Sequence, residues 1–278
     1  MHFLEFDIAA FFLGILVMWF FHKNRPIPNL QNKIFYILII TSFVVTVLDF
    51  VTVVFTTYAI YLPRWLLWLT NCFYFTGSDS LAMIWAAYSY SIVERSTPPT
   101  KKQKAFLWFA IYIPWIAAIC LVWLTPLLSD THVILFYFDE FNLYHRSNNF
   151  WFFLIHVIVA YYLIYSVVNL FVNRKRIDRQ KIIMFLIYAG IVVLSVALQL
   201  TFESLLIESF GIAVATMAFL FYIQKPEDFI DYLTGLYNQN AFIKLMQYKF
   251  ATETPYVCVA IIIDDIPFLS HTFGFAQV

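Results

Sequence analysis

Long apolar runs alternate with short polar stretches along most of this chain. Seven runs are long enough to cross the hydrocarbon core of a bilayer, which takes about 20 helical residues. They lie near Leu4–Phe21, Ile34–Tyr58, Trp65–Ile92, Ala105–Leu124, Phe150–Val172, Ile182–Leu200 and Leu205–Ile223. The pattern predicts an all-α polytopic membrane protein, a seven-helix bundle over residues 1–223, with the lipid bilayer as its main partner.

The composition of the chain agrees with this prediction. Of its 278 residues, 62% are apolar and 12% are charged, whereas a soluble domain is nearer half apolar and a quarter charged. No basic domain exists that could carry a nucleic-acid site, so no nucleic-acid partner is expected. The three cysteines lie in apolar runs or in the terminal segment, which indicates neither a disulfide framework nor a metal site. We predict no cofactor.

The distribution of lysine and arginine predicts the orientation of the bundle. The odd-numbered loops hold 12 of these residues, whereas the even-numbered loops hold only Arg64 and Arg146. Because cytoplasmic loops are enriched in lysine and arginine, the odd loops are expected in the cytoplasm. The N-terminus is then outside and the C-terminus is cytoplasmic. A multi-pass protein of the cell inner (plasma) membrane is expected.

The fourth loop, residues 125–149, is the longest and is rich in aromatic residues. Two interpretations are open. Its aromatic side chains form an interfacial belt beside a solvated acidic rim, or the loop covers an outward-facing pocket, because long loops tend to be functional.

Polar side chains inside the apolar runs are the candidate site. A carboxylate within a membrane is costly and rarely serves only to join helices, so we expect Asp49 and Asp79 to be functional. For the amide and hydroxyl side chains, hydrogen bonding between helices is the alternative. Such a cluster could bind a small cationic or polar ligand in the outer half of the helix bundle, or it could respond to protons. The ligand-binding or sensing candidates are Asp49, Asn71, Asp79, His156, Gln199, Glu203 and Glu208.

The chain changes character after the last apolar run. Pro226 cannot continue a helix but suits the first turn of a new one, which predicts a short linker helix over residues 224–230. Asn238 is a good N-cap for a following helix, and the apolar run at residues 256–263 has the length and β-branched composition of a strand. A helix followed by a buried strand predicts the start of an α/β domain over residues 231–278.

The stretch "DYLTGLYNQNAF" at residues 231–242 resembles the opening of the GGDEF family, the diguanylate cyclase fold, which typically starts D-x-L-T-G-L-x-N-R. Gln239 stands in place of the usual arginine. Further on, "IIDDIPFLSHTFGF" aligns with the family's second motif, with Asp264 on its second aspartate, Leu269 on its apolar position and Gly274 on its glycine, although Ile262 replaces its first metal-binding aspartate. The positions that match the family are Asp231, Leu233, Thr234, Gly235, Leu236, Asn238, Asp264 and Gly274.

The departures from the family pattern imply a degenerate domain that is not an enzyme in this chain. An isoleucine cannot ligate Mg²⁺, which demands oxygen donors, and phosphoryl transfer depends on that metal. The chain also contains no Gly-Gly pair and hence no GG[DE]EF loop. The resemblance implies a fragment of a longer protein of GGDEF–EAL type, in which phosphodiesterase activity is expected rather than cyclase activity.

These features together predict a membrane signal-transduction receptor. A stimulus at the outer half, or within the membrane, would be relayed through the seventh span to a cytoplasmic output domain related to cyclic-di-GMP. The linker is too short for a long coiled coil. Coupling would then run through the angle or spacing of the seventh spans of two protomers, which favours a homodimer. Two alternatives stay open: a transporter or channel that uses the outer acidic residues, and a passive membrane anchor.

Overall fold

The structure of this chain is a computed structural model and is predominantly helical. It describes residues 5–23, 30–96, 101–129, 132–175, 177–202, 206–223, 231, 234, 236–251 and 255–261. The helices are α1 (Glu5–Lys23), α2 (Leu30–Thr57), α3 (Arg64–Ser96), α4 (Lys101–Leu128), α5 (Phe150–Val172), α6 (Arg179–Thr201), α7 (Glu208–Ile223) and α8 (Gln239–Ala251). A short 3₁₀ turn at Ala59–Tyr61 joins α2 to α3.

Five of these helices are long and apolar enough to cross a membrane. They are α1, α2, the part of α4 from Trp108 to Leu128, α5 and α6. Helix α3 has 33 residues but is interrupted by polar side chains, and α7 is apolar but has only 16 residues. The prediction of a chain with several membrane-crossing helices is therefore confirmed for five of the seven runs.

The helices pack so that α3 and α7 have the most protected positions. Helix α3 contacts α2, α4 and α5, while α7 contacts α1, α2 and α6. An aromatic cluster joins α3, α6 and α7 at the end of the helices away from the fourth loop. In it the Trp85 ring stacks on Tyr188 with centroids 3.7 Å apart and meets Phe185 at 4.3 Å and Phe219 at 4.8 Å.

Large apolar side chains cover the outside of the helices. Phe12 on α1, Phe109 on α4, Ile164 on α5 and Leu194 on α6 are each more than half exposed. Exposed apolar surface of this extent marks contact with a membrane or a partner. It agrees with the expectation that lipid surrounds the helices.

The fourth loop contains a small hairpin of two antiparallel strands, β1 (Phe136–Phe138) and β2 (Tyr144–Arg146), in which Phe136 pairs with Arg146. Its turn is held by the Asp139 carboxylate, whose Oδ1 accepts hydrogen bonds from the Phe141 and Leu143 backbone N–H groups at 2.9 and 2.8 Å.

The hairpin folds onto the ends of the helices. Phe136 and Phe138 are buried, and both pack on the Trp68 ring of α3. Arg64, at the start of α3, donates a hydrogen bond to the Phe138 carbonyl. Much of the aromatic content of the loop is therefore core rather than an interfacial belt.

The segment after α7 is described in parts. Asn238 caps α8 as predicted, because its Oδ1 accepts a hydrogen bond from the Ala241 backbone N–H at 3.1 Å. The strand predicted over residues 256–263 is not confirmed: residues 255–261 are exposed and in no regular element, and residues 262 and 263 lie outside the described ranges. A strand needs a hydrogen-bonded neighbour, and in the described part of the chain only β1 and β2 pair. The linker 224–230 also lies outside the described residues.

Candidate functional site

A cavity of about 570 Å³ lies at the end of the helices that carries the β1–β2 hairpin. Helices α2, α3, α5, α6 and α7 form its sides, and β2 forms one wall. Its lining is Asp49, Thr52, Val53, Thr56, Asn71, Tyr74, Phe75, Tyr144, His145, Arg146, Asn148, Phe152, His156, Val196, Gln199, Leu200, Leu206 and Glu208. The interpretation of the fourth loop as part of a pocket fits this geometry.

The structure brings five of the seven candidate residues together in this cavity: Asp49, Asn71, His156, Gln199 and Glu208. They come from five different helices. Helical spacing explains the placement, because residues three or four apart, such as Asp49, Thr52, Val53 and Thr56 of α2, share one face. That they bind a ligand stays a prediction.

The other two candidate residues are Glu203 and Asp79. Glu203 lies outside the described residues. Asp79 is buried further along α3 and interacts electrostatically with Glu208.

Asp49 is held by a neighbouring helix. Its carboxylate is 3% exposed, and the Ser209 hydroxyl of α7 donates a hydrogen bond to its Oδ2 at 2.5 Å. A buried carboxylate needs such donors to offset the loss of water. This contact fixes α2 against the first turn of α7.

Glu208 is the first residue of α7 and connects three helices. Its backbone N–H donates to Oε1 of Gln199 on α6 at 2.9 Å, so that Gln199 satisfies one of the unpaired N–H groups at the start of α7. The Ser78 hydroxyl of α3 donates to its carboxylate at 3.4 Å. The Glu208 backbone therefore joins α7 to α6, and its carboxylate joins α7 to α3.

Asp7 is a further buried carboxylate in this region. It is completely buried and interacts electrostatically with Asp49. Neither of its carboxylate oxygens has a hydrogen-bond partner within the described part of the chain, and the same holds for Oδ2 of Asp79. Asp7 is not among the candidates selected from the sequence, because one acidic residue near the start of an apolar run has no periodic pattern that marks it as buried.

Asn71 and His156 are held by their own helices, whereas Gln199 joins α6 to α7. The Asn71 side-chain amide donates to the Leu67 carbonyl at 2.9 Å, and His156 Nδ1 lies 2.9 Å from the Phe152 carbonyl. Because a carbonyl only accepts, Nδ1 carries a proton, and a neutral His156 then has Nε2 as an acceptor. Neither contact joins two helices, so the alternative role of helix-to-helix hydrogen bonding is not seen for these contacts.

Sequence reasoning missed the residues that the hairpin supplies to the cavity. Tyr144, His145 and Arg146 of β2 line it, and the Arg146 guanidinium lies 5.3 Å from the centre of the Phe152 ring. Arg146 had been noticed only as an exception in the charge count of the outer loops. Its position within a loop gave no indication that it faces the helices.

The hairpin that carries these residues is stabilised by Asp139, outside the membrane-spanning segments. The hydrogen bond from the Leu143 backbone N–H is the main cause that lowers the pKa of Asp139 from its ordinary value of 3.8, with a further contribution from His145. His145 Nε2 lies 3.1 Å from Asp139 Oδ2. The ionised carboxylate therefore holds both the turn and one cavity residue.

The described residues contain no group of three or more His, Cys, Asp or Glu side chains that could hold a metal ion. Comparison with protein-family models, with curated proteins and with solved structures finds no match for this chain. The GGDEF resemblance therefore rests on the quoted residues alone.

Four of those residues are described. Asp231 Oδ1 accepts hydrogen bonds from the Thr234 backbone N–H and hydroxyl at 3.0 and 3.1 Å, and the Asp231 N–H donates to the Leu236 carbonyl at 2.8 Å. These contacts form a tight turn ahead of Asn238 and α8. The other matched positions, Leu233, Gly235, Asp264 and Gly274, lie outside the described residues, as does Ile262.

Proposed function

We propose that this chain is a seven-span membrane receptor of the bacterial inner membrane, with its N-terminus outside. The central position of α3 supports a crossing at this helix despite its polar residues, because α2, α4 and α5 shield it from lipid. Helix α7 has 16 residues and is about 24 Å long at 1.5 Å per residue. That length approaches the hydrocarbon thickness of about 30 Å.

The cavity is the proposed stimulus site. The observation that carries this proposal is the meeting of five polar residues from five helices at one cavity of about 570 Å³. Binding pockets typically have volumes of about 300–1,000 Å³ and a few convergent polar groups. Under the proposed orientation this end of the bundle faces outward.

Helix α7 is the proposed relay. It begins at Glu208 on the cavity and ends at Ile223, a few residues before the turn at Asp231. A ligand that changes the contacts of Glu208 with Gln199 and Ser78 would alter how α7 packs. A signal of this kind needs two arrangements of the bundle that the ligand binds with different affinities. A homodimer would let two seventh spans change their spacing.

The proposed output is the degenerate GGDEF-like segment, residues 231–278, joined by the linker 224–230. Its support is the match at residues 231–238, whose described members form a hydrogen-bonded turn before a capped helix. The replacement at Ile262 supports a regulatory rather than a catalytic role, so this chain itself is not proposed to be an enzyme.

The test of this function compares cyclic-di-GMP levels in bacteria that produce the chain during changes in external pH, osmolarity and small-molecule supply. We expect a stimulus-dependent change that Asp49→Asn abolishes and that the matched carboxylate variant Asp178→Asn, at the opposite end of α6, retains. A chimera in which an unrelated anchor replaces residues 1–223 and the response persists would support the anchor alternative instead.

A cation transporter is the second candidate, favoured by the succession of the buried carboxylates Asp7, Asp49 and Asp79 and the half-buried carboxylate Glu208. Reconstituted vesicles separate the two functions. Cation or proton flux that depends on Asp49 and Asp79 would favour transport, whereas vesicles without flux, together with the cellular response above, favour the receptor.

A further inference from the structure

The helical side of the cavity holds two carboxylates, whereas the arginine of the lining, Arg146, comes from β2. Asp49 and Glu208 line the cavity and interact electrostatically with each other. Within the described residues, neither forms an ion pair with lysine, arginine or histidine. Asp7 adds a third carboxylate beside Asp49, completely buried and with both oxygens lacking hydrogen-bond partners in the described part of the chain. Buried charge of one sign is costly unless an opposite charge joins it.

Aromatic rings stand next to these carboxylates. Tyr74 and Phe75 of α3 and Tyr144 of β2 line the same cavity, and Tyr74 interacts electrostatically with both Asp49 and Glu208. The faces of aromatic rings attract cations within about 6 Å of their centres. The combination of carboxylates and ring faces is the surrounding that an ammonium group prefers.

The size of the cavity favours an organic cation over a bare ion. Its volume of about 570 Å³ far exceeds what a metal ion occupies, and the described residues offer no group of three metal-ligating side chains. An organic ammonium compound would fill this space with its apolar part while its charge approached the carboxylates.

We propose that the cavity binds a small organic ammonium compound. Asp49 and Glu208 meet its charge, and Tyr74 and Phe75 pack on its apolar part. The inference rests on the proposed receptor function, since it names the chemical class of ligand for the same cavity.

The test measures the binding of matched probe pairs to the purified chain in lipid nanodiscs, by calorimetry and by the shift in Tm. The pairs are choline with 3,3-dimethylbutan-1-ol and tyramine with 4-propylphenol, in which a carbon replaces the charged nitrogen. We expect at least one ammonium compound to bind and its neutral partner not to bind. Sodium chloride at equal ionic strength controls for screening.

Variants connect the binding to the named residues. Because a hydrogen bond to a charged group is stronger than a neutral one, Asp49→Asn and Glu208→Gln should each weaken the ammonium Kd about tenfold or more. Asp178→Asn, a carboxylate variant at the N-cap of α6 and at the opposite end of that helix from Gln199, should leave the Kd unchanged. The proposal is overturned if neither ammonium compound binds at millimolar concentration, if neutral partners bind equally well, or if both cavity variants bind like the wild type.

This binding assay is independent of the cellular output. Ammonium binding without a stimulus-dependent change in cyclic-di-GMP would support the ligand class and contradict the receptor function. A cellular response that requires Asp49, together with no ammonium binding, would contradict the ligand class alone.

Discussion

The Asp49–Ser209 hydrogen bond illustrates how a single buried carboxylate organises its surroundings. The hydroxyl of Ser209 reaches across from α7 to a side chain of α2, and it is the one hydrogen-bond donor to the Asp49 carboxylate that we identify in the described residues. Beside it, Asp7 lacks such a donor within the same described part. Carboxylates inside a membrane protein are costly, and those that persist are candidates for a function.

We predict that Ser209→Ala destabilises the chain by about 1–3 kcal/mol, because it leaves a buried carboxylate without a donor. Thermal unfolding in nanodiscs measures the change. The control is Ser166→Ala: Ser166 is equally buried, but its hydroxyl bonds only the Tyr162 carbonyl of its own helix. Equal losses of stability in the two variants would show that the hydrogen bond to Asp49 contributes no more than a hydrogen bond within one helix.

The lowered pKa of Asp139 predicts that the stability of the hairpin depends on pH. Because its pKa is lower in the folded chain than the ordinary 3.8, its ionised form stabilises the hairpin above that value. This stabilisation is lost as the pH falls through the lowered pKa. The protection factors for hydrogen exchange of residues 136–146, which correct for the intrinsic pH dependence of amide exchange, should therefore stay constant from neutral pH down to about pH 4 and fall below it.

The matched variant for this experiment is Asp139→Asn, which should remove the acid transition and raise exchange at neutral pH. A transition near pH 6.5 in the wild type would instead indicate that an ordinary histidine controls the hairpin.

At the scale of elements, close packing joins α6 and α7. A Cβ atom at Gly211 of α7 would lie 1.8 Å from the Ser195 hydroxyl oxygen and 2.6 Å from the Ser195 Cβ atom. The two helices therefore approach so closely that only glycine fits, as is usual for helix interfaces in membranes. A Cβ at Gly190 of α6 would meet nothing within 4 Å.

We predict that Gly211→Ala costs about 1–3 kcal/mol of stability through overpacking. Gly190→Ala should be neutral or stabilise by up to about 1 kcal/mol, because alanine favours the helix. Adding Ser195→Gly to Gly211→Ala should restore much of the loss, as measured by thermal unfolding. A Gly211→Ala variant with wild-type Tm would contradict this packing.

The apolar periodicity of the sequence was sufficient to predict the helices and to group most of the site. A polar side chain in an apolar run carries a free-energy cost wherever it occurs, and this selected Asp49, Asn71, His156, Gln199 and Glu208. The hairpin could not be predicted in this way, since three-residue strands such as Tyr144–Arg146 are too short for a periodic pattern. The burial of Asp7 depends on how α1 packs against α2 and α7, which no local pattern determines.

At the scale of the whole molecule, the orientation in the membrane decides whether the cavity faces outward. Phe141 in the hairpin turn is 71% exposed, and Cys258 beyond α8 is exposed as well. The proposed topology puts these two positions on opposite sides of the membrane.

We predict that a membrane-impermeant maleimide labels a Phe141→Cys variant in intact cells. Cys258 should react only after the cells are opened. A Phe141→Cys, Cys258→Ser double variant separates the two signals on one chain. Labelling of Cys258 in intact cells would reverse the orientation derived from the lysine and arginine residues.

The central claim is that charge in the cavity controls the segment beyond α7. Asp49→Asn removes the carboxylate charge that a bound cation would neutralise. It changes no residue of α7. The most direct measurement is hydrogen exchange of residues 236–251 in the wild type and in Asp49→Asn, both in nanodiscs, with Asp139→Asn as control. The account predicts altered exchange in this segment for Asp49→Asn alone; changes confined to the residues around the cavity would contradict it.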